Sequence, residues 1–179
     1  MKLIRTIRLD PSDTFVFERA AEPGEWAVSG SFAFWNDDAE KPEGKARSAF
    51  RGAFLGVASL GWSTLVQIVE ASEADRAALV ETLARQLVAH FGAPDIDTAR
   101  AAAQEEVAFA ESLCNHPAGT LIAVHRAVED GEMREAFRTL HPRGDNKPMR
   151  AFSFLEVEGD EEVGDEIDLV SLAGRELRR

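Results

Sequence analysis

The sequence holds one cysteine, no tyrosine and no long apolar run. Each shortage removes a class of protein. A single cysteine among 179 residues cannot build a disulfide scaffold. With no export signal, it makes the cytoplasm the default compartment. Lys2, Arg5 and Arg8 interrupt the apolar residues at the start, so no signal peptide is expected. The longest weakly polar stretch, Phe54 to Val69, is broken by Gly56, Gly61, Ser63 and Gln67. It falls short of the roughly 18 apolar residues that a membrane span needs.

Basic residues are also short. Twenty Lys and Arg face 32 Asp and Glu, for a net charge of -12. Phosphate backbones are held by clustered cations that displace counterions, so a nucleic-acid partner is excluded. Anionic membrane surfaces are disfavoured on the same ground. Half the net charge lies at one end: residues 156–179 carry nine acidic and three basic residues. Eight of the thirteen residues from Glu156 to Asp168 are acidic and none is basic, and an apolar-rich segment (Ile167, Leu169, Val170, Leu172, Leu177) follows. This divides the chain into one domain, residues 1–158, and an acidic linker with a short C-terminal amphipathic segment, residues 159–179. Such a tail docks, either on its own domain or on a partner.

The periodicities give an element order. Residues 2–9 read as a strand, and Thr14 to Arg19 as a second. Trp26 to Trp35 alternates as a third, closed onto the second by a turn at Glu22–Glu25. Gly30 marks a bulge. Apolar residues from Ala46 to Ala58 recur at three and four residues, which predicts a helix ended by Gly61. Trp62 to Glu70 is a strand. Ser72 with Asp75 forms a capping box ahead of the Leu79, Leu83, Leu87, Phe91 stripe. Asp95 or Asp97 caps the next helix, whose stripe is Ala99, Ala103, Val107 and Ala110. A hairpin turns at Glu129-Asp130-Gly131-Glu132 and sets Val124 opposite Phe137, Arg126 opposite Glu135 and Val128 opposite Met133. Arg150 to Val157 is a last strand. The expected fold is α+β: a mainly antiparallel sheet with about three helices on one face, in the order βββαβααβββ.

No catalytic motif survives inspection. None of His90, His116, His125 and His141 follows an acidic residue at three positions, and neither His-Glu-x-x-His nor Cys-x-x-Cys occurs. Cys114-x-His116 has near-ligand spacing and would need His125 or His141 as further ligands. A buried Cys and a His at a helix C-terminus explain the pair more simply. Gly61-Trp62-Ser63 lacks the closing glycine and the helix of a nucleophile elbow. No phosphate loop is present, and no metal or cofactor is expected. Glu106 lies at the border of an apolar helix face, where partial burial raises a carboxyl pKa. Trp35 precedes a polar loop.

The segments LIRTIRLDPSDTFVFERAAEPGEWAVSG, GWSTLVQIVEAS and SLCNHPAGT resemble an uncharacterised family of small alphaproteobacterial proteins, over the whole chain apart from the tail. The resemblance implies a bacterial cytoplasmic protein with an accessory role. It implies no activity and no site residues. Two functions remain. The first is a non-catalytic accessory protein that binds a partner protein. The second is a small-molecule or cofactor-binding domain, or a weak enzyme, with a pocket between sheet and helices near Trp35, Trp62, Glu106 and His125. A homodimeric scaffold is a third arrangement.

Overall fold

The computed structural model describes residues 1–35 and 42–141 in full, and residues 156–158 as backbone. Along the chain run β1 (Lys2–Ile7), α1 (Ser12–Val16), β2 (Ala27–Val28), a 3-10 turn (Ser31–Phe34), α2 (Gly44–Gly52), β3 (Phe54–Gly56), β4 (Trp62–Ser63) and β5 (Leu65–Glu70). Then follow α3 (Glu73–His90), α4 (Ile96–Ser112), β6 (Leu121–Glu129), β7 (Glu132–His141) and β8 (Glu156–Glu158). The class is α+β with antiparallel sheets, as the sequence predicts.

The larger sheet has the order β1-β5-β6-β7-β8, and the smaller one β2-β3-β4. Both are antiparallel throughout. A bridge between Arg5 and Trp26 connects them edge to edge. Register explains which residues form the core. Ile4 pairs with Ile68, and Val66 with Ile122, so these residues share one face with Val124 and Arg126. All are buried. Both α2 and α4 lie over this face. Arg126 donates to carbonyls at the end of α2. Phe109 of α4 meets Phe137 of β7 edge-on at 5.6 Å. α3 packs along α4 through Leu79, Leu83 and Leu87 against Ala99, Ala103 and Val107, all in one core cluster. No helix among the described residues is long and apolar enough to cross a membrane.

The two long helices start where predicted. Ser72 Oγ accepts from the Asp75 amide and the Asp75 carboxylate accepts from the Ser72 amide, completing the capping box. Asp95, rather than Asp97, caps α4 by accepting from the Thr98 amide. The β6–β7 hairpin has the predicted register at all three pairs. Its turn places Asp130 at φ 52 and Gly131 at φ 79, the two positive angles of a type I′ turn.

The strand expected at the start is β1, and the departures from expectation lie between residues 14 and 61. Thr14 to Arg19 is not a strand: Ser12–Val16 is a helical turn, and Phe17 alone of its aromatics is buried. The cause is tertiary. Asp13 is buried and accepts from both the amide and the hydroxyl of Thr64, which fastens the turn to the β4–β5 junction. The Trp26–Trp35 strand is two residues long, and pairs with β3 rather than with residues 14–19. Gly30 ends it instead of bulging it. Its φ is +78, and a Cβ there would stand 2.5 Å from Leu55 Cβ. The helix predicted through Ala58 stops at Gly52. Phe54 continues as β3, and the Phe50 carbonyl that an amide four residues on would have taken accepts from Arg126. Gly61 therefore ends no helix; it lets the β3–β4 turn approach Ala20, whose carbonyl oxygen a Cβ would meet at 2.4 Å. Of the last predicted strand, Glu156 and Val157 pair with β7, in a strand that runs on to Glu158, and 150–155 lie outside the described residues.

Candidate functional site

Arg126 sits mid-strand in β6 and its side chain is fully buried. Every donor finds an acceptor. Nε donates to Glu135 at 2.6 Å, Nη1 to the carbonyls of Phe50 and Ala53, and Nη2 to the carbonyl and hydroxyl of Ser29. Ser29 Oγ in turn donates to Glu135 at 2.7 Å. One guanidinium thus pins the C-terminus of α2, the end of β2 and the β6–β7 hairpin together. Burial pushes its pKa down, and the bond and charge of Glu135 oppose that. A buried ion pair contributes little net stability, but removing one partner strands the other. This is a clamp with no donor left for a ligand.

Glu106 of α4 lies beside the clamp. Its Oε2 is buried and has no hydrogen-bond partner among the described residues. Burial raises its pKa to about 7, the Glu135 charge adds to the rise and Arg126 opposes it. A carboxyl poised near neutrality at the edge of a core can exchange a proton or accept from an N–H donor.

A second feature lies at the corner of α1, the 3-10 turn and α2. Phe17, Ala49 and Ala53 form a small core of their own, with Phe34 and Trp62 packed against it. Phe34 stacks on Trp62 at 5.1 Å and meets Phe50 edge-on at 5.3 Å. The chain neighbours of this core point outward. Phe15 is 72% exposed, Trp35 69% and Leu9 60%. Lys45, Arg47 and Arg51 of α2 are exposed, and among the described residues none of them forms an ion pair.

The four residues singled out by sequence fall in different settings. Trp62 is half-buried beneath Phe34. Trp35 is exposed at the end of the 3-10 turn. Glu106 borders the clamp. His125 is exposed and alternates with Arg126 along β6, so it lies on the opposite face of the sheet. The sequence marks Arg126 only as the register partner of Glu135. Its one sequence signal is that it shares a strand face with Val124, which is buried. Cys114 is buried, donates to the Ala110 carbonyl, and burial pushes its thiol up to about 11. The rings of His116 and His141 are 6.1 Å apart. Among the described residues no three His, Cys, Asp or Glu side chains are grouped to hold a metal.

Fold and site together define a small α+β domain of two joined antiparallel sheets, clamped by an internal arginine and carrying an exposed aromatic corner beside a basic helix. Residues 1–155 match the family of unknown function DUF6505, and the chain belongs to it. No curated protein and no solved structure matches the chain.

Proposed function

We propose that this protein is a non-catalytic accessory protein that binds a partner protein through the α1–α2 corner. The observation that carries the reading is the exposure of Phe15 and Trp35 on segments whose next aromatics, Phe17 and Phe34, share one small core. Large apolar side chains held on a rigid base are the usual anchors of protein contacts, and Arg is the cation most enriched there. With Arg47 and Arg51 four residues apart on one face of α2, the partner presents an acidic segment with apolar anchors.

The test is affinity capture by the wild type in parallel with Trp35→Ala and with Arg47→Glu/Arg51→Glu. A protein held at fixed stoichiometry by the wild type and lost by both variants supports the reading. Identical partners on all three baits would overturn it.

A second reading, a small-molecule-binding domain, draws on the unpartnered Oε2 of Glu106. Its ligand would bring an N–H or ammonium donor. Binding to the native state alone raises the melting temperature with ligand concentration. The expected result is a shift for a set of amines that Glu106→Gln abolishes; a shift that Glu106→Gln leaves intact removes this reading.

A further inference from the structure

We infer that the first occupant of the α1–α2 corner is the chain's own C-terminal segment, residues 159–179, with its acidic part on α2 and its apolar part over Phe15 and Trp35. The inference rests on the docking face proposed above and names what covers that face before a partner does.

Three observations converge. The first is charge. Residues 159–168 hold six acidic and no basic residues, whereas α2 carries Lys45, Arg47 and Arg51 and no acid. Opposite charges this dense attract over a Debye length of about 8 Å in physiological salt. The second is direction. β8 pairs Glu156 with His141 and Glu158 with Thr139. β8 itself therefore runs toward the level of Glu135, which is the level of Arg126 and so of the clamped end of α2. The third is reach. From β8 to β6 is two strand spacings, about 10 Å. Ten residues extend to about 33 Å, so residues 159–168 span that crossing with length to spare. Ile167, Leu169, Val170 and Leu172 then arrive after the acidic run, in the order needed to pass from a basic helix to an apolar corner.

In this arrangement the tail lowers the affinity of the corner for any partner of the same chemistry, because a partner must displace it. Competition of this kind confers selectivity: only a partner with stronger anchors or more acidic charge binds.

The experiment uses the full chain. A carbodiimide joins a lysine amine to a carboxylate in direct contact. Equal amounts of isotopically light and heavy protein are mixed, cross-linked and digested. Links from Lys45 to residues 160–168 within one isotope class are expected. They should disappear in Arg47→Glu/Arg51→Glu and in about 1 M sodium chloride, where the Debye length falls to about 3 Å. Hydroxyl-radical labelling of Trp35 should rise severalfold in a variant with Asp160→Asn, Glu161→Gln and Glu162→Gln, changes outside the described domain. Links between light and heavy chains would overturn the cis contact in favour of a second copy. No link, with Trp35 labelling unchanged by salt or by the amide variant, would overturn it altogether. Partner capture reads the parent proposal separately. If Arg47→Glu/Arg51→Glu loses the partner but no tail link forms, the docking face stands and its cis occupant falls. If links form but capture ignores both corner variants, the cis contact stands and the partner reading falls.

Discussion

Glu106 gives a pH dependence whose sign follows from its environment. Its folded pKa, about 7, lies above the ordinary 4.5 because burial and Glu135 disfavour the charged form. Below about pH 4.5 the group is neutral both folded and unfolded, and it costs nothing. As pH rises the unfolded chain ionises first, so stability declines until the folded group ionises too, near 7, and then levels off. Glu106→Gln removes the charge and keeps the shape. It should match wild type near pH 4 and exceed it at pH 8, by on the order of 2–3 kcal/mol. Thermal melts across that range read the difference, and a gain that is flat with pH would contradict the assignment. Arg126 behaves oppositely. Arg126→Met leaves the Ser29, Phe50 and Ala53 carbonyls without the guanidinium and the Glu135 carboxylate with the Ser29 hydroxyl but no cation, and should cost about 3–5 kcal/mol in urea denaturation. A cost under about 1 kcal/mol would mean that water replaces the guanidinium and that the clamp does not hold α2.

At the scale of elements, stability and legibility share a cause. The capping residues of α3 and α4 act through hydrogen bonds to amides within three residues. Ser72→Ala and Asp95→Ala should each cost about 1 kcal/mol, with faster amide exchange in the first turn of the helix concerned. A loss below about 0.3 kcal/mol would show that tertiary packing alone sets those helix starts. Because such signals are local, they were readable in the sequence, as was the β6–β7 register around Asp130-Gly131. The stretch from residue 14 to residue 61 was not, because its conformation is decided by partners far along the chain. Residues 14–19 have the composition of a strand, yet the bond from Thr64 to Asp13 sets a helical turn there. Ala46 to Ala58 has helical spacing throughout, yet Arg126, more than 70 residues away, takes the last carbonyls of α2 and the chain enters β3. The candidate site divides in the same way. The border position of Glu106 showed in the α4 stripe. The clamp did not, because an arginine among inward-facing β6 residues acquires its meaning only when Ser29 and the end of α2 meet it.

At the scale of the molecule, the decisive quantity is where the charge lies. Residues 1–155 and 156–179 each contribute -6 to the net charge, though the second stretch is far shorter. The main core cluster runs from Leu3 to Val124 and includes residues of both sheets, α3 and α4. A chain ending at residue 158 should therefore keep one cooperative unfolding transition, with far-UV circular dichroism and tryptophan fluorescence coincident. Fluorescence is informative because Trp26 and Trp62 pack against the main core at the junction of the sheets. A midpoint shift of a few degrees corresponds to about 1 kcal/mol in a protein of this size, and its sign separates two electrostatic states. If the acidic tail repels the acidic domain, truncation raises the midpoint; if it rests on Lys45, Arg47 and Arg51, truncation lowers it. The expected result is a small fall at low salt that vanishes as salt is added, since only a screened attraction behaves so. Loss of the transition itself would make residues 159–179 part of the core and overturn the boundary after residue 158. A rise at low salt would leave that boundary standing and place the tail away from α2.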